Sequence, residues 1–326
     1  MDISVAICTW NRAQLLRATL EQMCSLRIPP GVSWELLVVN NNSTDATDSV
    51  IASYEGRLPI RRLLERRQGV SRAGNCALAA ARGNLLVWTA DDVLVDPEWL
   101  ASYHTASLSW PDAAFFGGAV FPWYESPPPA WIENSKGASW AVLGLRRYDD
   151  TVRPFAQGEE PIGNNMAVRL NVHRRFLFNE ALGYVGGQLG AGEDLDLVER
   201  LMRAGLRGIW VGTARIRHWV PRSRMRYKYL WDWCFAAGAQ EARTGRVAGR
   251  RVLGSPVGFI ARRSLRGIRS YVSGCLFRDD ARRVSGFRDL AFQSGMIWAG
   301  ARQLNQRVRF GILTRSVSED LAKAPG

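Results

Sequence analysis

Before residue 100 the chain alternates at least three times between short, β-branched apolar runs and segments with helical spacing, and this rhythm restricts the fold more than any other feature. Ile3–Cys8 (ISVAIC), Trp34–Val39 (WELLVV), Pro59–Leu64 and Asn84–Thr89 (NLLVWT) read as buried strands. Between them, Leu15, Leu16, Leu20 and Met23 fall on one helical face, a helix follows the turn-forming run Asn40–Asp45, and Gly69 to Ala81 has helical character. Thr9 or Asn11 is expected to cap the first helix. The pattern predicts an α/β fold with a mostly parallel central sheet and helices on both faces, in which ligands bind at the carboxyl ends of the strands.

The rhythm then loosens. Phe115–Phe121 reads as a strand, Pro127–Pro129 as part of a loop, and Gly163–Arg169 as a turn entering another strand. A glycine-rich loop from Gly183 to Gly192 leads into a helix through Met202, and two apolar pieces, 209–211 and 214–216, end at His218. Beyond Pro221 the sequence becomes helical and rich in arginine. The expected organisation is an α/β domain over 1–220, an arginine-rich helical region over 221–314 and a flexible tail over 315–326.

With 47% hydrophobic and 22% charged residues among 326, the composition suits a folded globule. No run approaches the roughly 18 uncharged apolar residues of a membrane-spanning helix. The start, MDISVAICTWNR, has no basic, apolar and small-residue signal pattern. Five scattered cysteines without a CxxC pair argue against a disulfide framework or structural zinc. A cytosol-facing chain with reduced thiols is the expectation.

Several function classes lose their support. No GxGxxG follows the first strand, and GxxxxGK[ST] and GxSxG are absent. What stands at strand ends is carboxylate, amide and hydroxyl. Asp91 and Asp92 follow an apolar strand, where adjacent carboxylates repel and resist desolvation unless a cation or hydrogen-bond donors neutralise them. Mg²⁺ or Mn²⁺ suits such a pair because it takes few carboxylates and completes its shell with water and phosphate oxygens. Capping of the next element is the plainer reading of the same acids. Glu193-Asp194 opens a helix after the glycine-rich loop, a place that favours acids electrostatically and also suits a general base beside an incoming hydroxyl. His218 ends a short strand, where a lone histidine is more often packed than ligating.

The order of these pieces carries more than any one of them. CTWNR, VVNNNSTD, QGVSRAGNCALAAARGNLLVWTADD, GNNMAVR, GEDLDLVERLMRAG and then a histidine together resemble the family 2 glycosyltransferases over roughly residues 1–220. The resemblance implies a GT-A fold and inverting transfer of a sugar from a nucleotide-diphosphate donor, with a divalent cation, Mg or Mn, as cofactor. It assigns donor binding to Thr9, Asn11, Arg12, Asn40, Asn42, Arg72, Asn75, Asp91, Asn164 and Asn165. It assigns the metal to Asp92 and His218, and catalysis to Asp194 as base with Glu193 orienting the acceptor. Three positions depart from the family's pattern: Asn40 stands where Asp is usual, Ala90 replaces the first acid of DxD, and Gly74 replaces the arginine of an ARN motif, a charge that Arg72 would supply. The acceptor implied is a hydroxyl of a glycan or lipid-linked glycan precursor. A catalytically silent sugar-nucleotide or glycan binding protein on the same fold is the alternative.

Net charge is +13, and residues 243–310 supply nearly all of it, with fifteen arginines, no lysine and only Asp279, Asp280 and Asp289 as acids. Within Pro256–Phe277, Val257, Ile260, Leu265, Ile268, Val272 and Cys275 are read onto one helical face, and Arg262, Arg263, Arg266 and Arg269 onto the other. With the aromatic and basic run Met225–Trp233 nearby, this reads as a surface for anionic membrane, peripheral at the inner face of the cell membrane. Packing of the apolar face on the rest of the protein is the competing reading. Nucleic acid ranks below lipid, because no recognition module accompanies the charge.

Overall fold

A computed structural model describes residues 1–135, 137–183, 192–244, 251–252 and 255–321. The chain divides into two compact units, one formed by Met1–Pro127 with Leu143–Arg222 and the other by Pro128–Val142 with Ser223–Gly326.

The first unit is built on one large sheet. Its strands are β1 (Ile3–Thr9), β2 (Trp34–Asn40), β3 (Ile60–Leu64), β4 (Leu85–Ala90), β5 (Val93–Val95), β6 (Ala113–Tyr124), β7 (Val152–Pro154), β8 (Asn165–Arg169) and β9 (Arg207–Val220). They run in the order β3-β2-β1-β4-β8-β6-β9-β5, with β7 against β9. The four strands anticipated before residue 100 form its parallel half. The second half is mixed: β8 is antiparallel to β4 and β6, β6 is parallel to β9, and β5 and β7 are antiparallel to β9.

Its helices are α1 (Ala13–Met23), α2 (Thr47–Ala52), α3 (Val70–Ala80), α4 (Trp99–Ser109), α6 (Leu170–His173) and α7 (Glu193–Arg203); α5 (Ala130–Glu133) belongs to the second unit. Successive residues of β1 point to opposite faces of the sheet, yet Val5, Ala6 and Ile7 are all fully buried, so both faces are covered. One core joins Ala6, Leu37, Leu86 and Trp88 to Ala73 and Ala77 of α3 and Leu197 and Leu201 of α7. The first helix is capped from a distance. Arg12 is its N-cap residue without a side-chain cap, and Asp45 of the β2–α2 loop accepts the Ala13 N–H at 3.0 Å. Neither Thr9 nor Asn11 fills that role.

The two apolar pieces expected before His218 are one fourteen-residue strand, β9, whose pairing with β6 shifts register between Gly118 and Ala119. Asn165 enters at this break. Its amide donates to the carbonyls of Ala119 (3.0 Å) and Ala214 (2.8 Å), and a side chain on Gly118 would collide with it.

The second unit is helical: α8 (Tyr227–Thr244), α9 (Val257–Leu276) and α10 (Asp280–Leu321), with a short pair of strands, β10 (Arg251–Val252) and β11 (Ser255–Pro256). The tail expected from 315 begins inside α10, and residues 322–326 lie outside the described residues. Among the described residues no helix is long and apolar enough to cross a membrane.

Candidate functional site

Three strand ends place the acidic pair. β1, β2 and β4 stop at one level, with Thr9 opposite Asn40 and Cys8 opposite Ala90. Asp91 and Asp92 form the turn between β4 and β5, at the carboxyl edge of the sheet. The antiparallel pairing of β5 with β9 sets Val93 opposite His218, which brings the histidine to the turn. The Trp219 N–H closes the arrangement on the Asp92 carbonyl at 2.9 Å.

The side chains meet directly. Thr9 Oγ1 donates to Asp91 Oδ2 at 2.7 Å, and the Arg12 guanidinium spans the pair, with Nη1 2.7 Å from Asp91 Oδ1 and Nη2 2.5 Å from Asp92 Oδ2. His218 Nε2 lies 3.5 Å from Asp92 Oδ1, and its Nδ1 faces the Leu143 carbonyl at 3.0 Å. That second contact fixes the ring and leaves Nε2 as the atom turned to the carboxylate. Thr9, Asp91, Asp92 and His218 are all buried. Burial raises the Asp91 pKa, Arg12 opposes the rise and neighbouring Asp92 adds to it. Two acids withdrawn from water side by side are tolerable because a guanidinium bridges them.

Asn164 and Asp194 belong to the same neighbourhood. A side chain on Gly144 would meet both the His218 ring and the Asn164 amide, so these two flank one glycine, and Asn164 Nδ2 donates to the Gly144 carbonyl at 3.1 Å. Asn164 Oδ1 is buried without a hydrogen-bond partner among the described residues. The residue before it, Gly163, gives its N–H to Asp194 Oδ2 at 2.8 Å, and Asp194 Oδ1 accepts the Leu195 N–H at 2.8 Å at the start of α7. Gly192 reaches that helix with φ 95°, which glycine adopts without strain. Glu193 is pushed up in pKa by burial and by Asp194, and its Oε2 has no partner among the described residues. Most of the glycine-rich loop beside it, 184–191, lies outside the described residues.

Other expected site residues serve the framework. Asn165 is fully buried and spends its amide on the β6–β9 break and its oxygen on Trp99 Nε1 and Tyr103 Oη, both at 2.8 Å, so it has nothing left for a donor. Asn75 clasps the Phe178 backbone with both ends of its amide. Asn11, at φ 52°, ties the β1–α1 turn to Ser43 and Thr44. Asn40 holds Asp48 and the Ser43 N–H, while Asn42 is exposed at φ 63°. Arg72 pairs with Glu180 at 3.1 Å. The Phe178 ring fills the space a side chain on Gly74 would need, which accounts for glycine there. Sequence reasoning passed over Asp45 and Asn41; the latter joins β2 to the 65–69 segment through Glu65, Arg67 and Gly69. Their place in the NNNSTD run was a signal, but turn formers do not reveal which distant backbone they hold.

Residues 4–124 match the model of glycosyl transferase family 2. This segment is similar to the family 2 glycosyltransferases. Along 102 residues the chain is 34% identical to validoxylamine A glucosyltransferase of Streptomyces hygroscopicus subsp. limoneus, covering 31% of this chain and 22% of that one. Along 236 residues it is 26% identical to the hyaluronan synthase of Pasteurella multocida, covering 63% and 23%. The chain thus spans under a quarter of the length of either relative. Among solved structures, a mannosyltransferase of Pyrobaculum calidifontis in complex with GDP-Man and Mn²⁺ superposes with a TM-score of 0.53 at 17% identity, over 98% of this chain and 81% of that one. It shares the GT-A fold. The acidic turn of Asp91 and Asp92 lies within the matched segment, whereas His218 and Asp194 come from beyond it.

Proposed function

We propose that the protein is an inverting glycosyltransferase that moves a sugar from a nucleotide-diphosphate donor to a hydroxyl of a glycan or lipid-linked glycan precursor. The observation that carries this reading is the contact between Asp92 and His218 at the carboxyl edge of the sheet, with Asp194 tied to the same place through Gly163 and Asn164.

The donor set fits a hard divalent cation. Asp92 Oδ1 and His218 Nε2, 3.5 Å apart, would need to approach by only about 0.5 Å to hold one octahedral ion as neighbouring ligands with bonds of about 2.1 Å. Among the described residues no group of three or more His, Cys, Asp or Glu is arranged to hold a metal. Two protein donors suit Mg²⁺ or Mn²⁺, which keeps waters and takes substrate phosphate oxygens. A cation held there supplies positive charge against the leaving diphosphate. Arg12 brings a second positive charge to the same place, and Thr9 keeps Asp91 oriented. Asp194 takes the acceptor proton, Asn164 offers its unpaired oxygen to a sugar or acceptor hydroxyl, and inversion needs one base and no covalent intermediate.

The test is release of nucleoside diphosphate from a panel of sugar nucleotides with Mg²⁺ or Mn²⁺. GDP-mannose with Mn²⁺ enters first because the P. calidifontis neighbour holds that pair. Turnover of at least one donor is expected; neither binding nor turnover across the panel would refute the reading. One observation favours a silent binding protein: Arg12 already neutralises both acids without a metal. That reading requires donor binding without transfer.

A further inference from the structure

The helical unit exposes apolar residues that a helix of its composition would ordinarily bury. On α9, Leu265 is 68% exposed, Ile268 50%, Val272 48% and Leu276 73%, and Phe277 just beyond is 73% exposed. Spaced three and four apart, they form one stripe along some three turns. The single apolar face expected from sequence is therefore divided. Ile260 packs inward against Ala239, Ala242, Met296 and Ala299, the rest look outward, and the side chain of Val257 lies outside the described residues.

The inner side explains the inversion. α9 meets α10 through glycine: a Cβ on Gly274 would strike the Arg283 backbone at 2.3 Å, and one on Gly286 the Tyr271 backbone at 2.4 Å. Such close approach leaves little depth for large side chains where the two backbones meet at Gly274 and Gly286. Arg263 and Arg266, expected on the solvated face, reach Asp289 at 2.6 and 3.0 Å, and Asp289 is buried. Glycines and an ion-pair cluster hold the helix, and its leucines and isoleucine are left outside.

Charge selects what covers them. α9 has no acidic residue, and Arg262 and Arg269 are exposed beside the stripe, with Arg278 exposed just past Phe277. A second copy of the chain would set arginine against arginine. On α10, Ile297 and Trp298 are also outward, and the Arg302 guanidinium lies 4.3 Å from the Trp298 ring centre. Apolar side chains flanked by arginine, with an indole under a guanidinium, match the acyl–headgroup boundary of an anionic bilayer.

We propose that the outward face of α9 is a membrane-docking surface, with Leu265, Ile268, Val272 and Leu276 inserted at the boundary and Arg262 and Arg269 on acidic headgroups. This surface does not depend on the sugar chemistry proposed above, so either reading can fail alone.

The full chain is tested by co-sedimentation with vesicles of pure phosphatidylcholine and vesicles containing about one-third phosphatidylglycerol. Wild type is compared with two variants, Leu265→Ser/Ile268→Ser/Leu276→Ser and Arg262→Gln/Arg269→Gln. The substituted side chains are exposed, so unchanged thermal unfolding is the control for folding. Wild type is expected to pellet with the anionic vesicles only, each variant to bind at least tenfold more weakly, and the arginine variant to lose most of its salt sensitivity. Three results overturn the proposal: no pelleting of wild type, retention of binding by the serine variant, or concentration-dependent self-association of wild type that the serine variant abolishes.

Discussion

His218 Nε2 stands 3.5 Å from Asp92 Oδ1, although 126 positions separate them in the chain, because β5 and β9 pair with Val93 opposite the histidine. The pairing makes the two side chains a unit. Asp92→Ala is expected to abolish the Mn²⁺ dependence of nucleotide-sugar binding and to lower transfer by two orders of magnitude or more. His218→Ala, which leaves the carboxylate in place, is expected to weaken the Mn²⁺ dependence about tenfold. Calorimetric titration of donor with and without Mn²⁺ reads both. Equal donor affinity with and without metal in wild type would remove the metal from the reading.

Arg12 bridges both carboxylates while its own side chain is 34% exposed. Arg12→Met leaves two buried acids without their cation, and a stability loss of roughly 1–3 kcal/mol follows, smaller than for a fully buried pair because the guanidinium is partly hydrated. A divalent cation can replace the missing charge. Mn²⁺ is therefore expected to raise the melting temperature of Arg12→Met more than that of wild type, with Arg12→Lys between them. Identical Mn²⁺ shifts in all three would show that arginine and metal do not share the site.

Asp194→Asn can keep an oxygen for the Gly163 N–H, but it then turns its amide NH2 toward the Leu195 N–H, and it removes the carboxylate proposed as the base. General-base loss costs on the order of 10²–10⁴ in rate. The helix-end charge it also removes is worth about 1 kcal/mol or less. Transfer is expected to fall within that range while nucleotide affinity hardly changes and the melting temperature drops by only a few degrees. Near-normal transfer in Asp194→Asn would leave helix capping as the role of the residue.

The sequence made the parallel half of the sheet legible because buried strands are continuous apolar runs and their helices carry a 3.6 period. Asp91 and Asp92 were legible for the same reason, as polar residues at the end of such a run. What periodicity hides is pairing. The β5–β9 contact that delivers His218 and the register break that consumes Asn165 are long-range matches, invisible in local spacing. Asn164 and Asn165 look alike in sequence, yet among the described residues one keeps a buried oxygen unpaired and the other is saturated. On α9 a helical wheel sorts arginine from apolar side chains but does not say which side faces the protein. Gly274 and Gly286 decide that, through backbone contact that hydropathy does not register.

His173 gives the first unit a defined response to acid. It is fully buried, Trp88 Nε1 donates to its Nε2 at 2.9 Å, and burial lowers its pKa to about 4. The unfolded chain takes up this proton near pH 6.5 and the folded one only near 4. The stabilisation is therefore complete above pH 6.5 and is lost as pH falls toward 4, on the order of 2–4 kcal/mol. His173→Gln keeps an acceptor for Trp88 but does not titrate. It is expected to be less stable than wild type at pH 7 and to lose less on acidification, as urea midpoints between pH 4 and 7 will show. Parallel pH profiles in the two proteins would exclude His173 as the source.

In the helical unit, α8 and α10 touch backbone to backbone. A Cβ on Gly238 would lie 1.9 Å from the Phe292 carbonyl oxygen, and one on Gly295 2.0 Å from that of Phe235. No rotamer relieves such an overlap, so the helices must separate. Overpacking of this kind costs about 1–3 kcal/mol, against about 1 kcal/mol that alanine gains over glycine in a helix. Gly295→Ala is expected to lower the urea midpoint, and the double variant with Gly238→Ala to lose less than the two single losses combined, since one separation relieves both overlaps. Gly258 on α9 is the contrast, because among the described residues its nearest neighbour is the end of the Arg262 side chain at 4.0 Å. There alanine meets open space, and Gly258→Ala is expected to raise the midpoint by up to about 1 kcal/mol. If Gly295→Ala and Gly258→Ala shifted stability in the same direction, backbone contact would not be what holds α8 against α10.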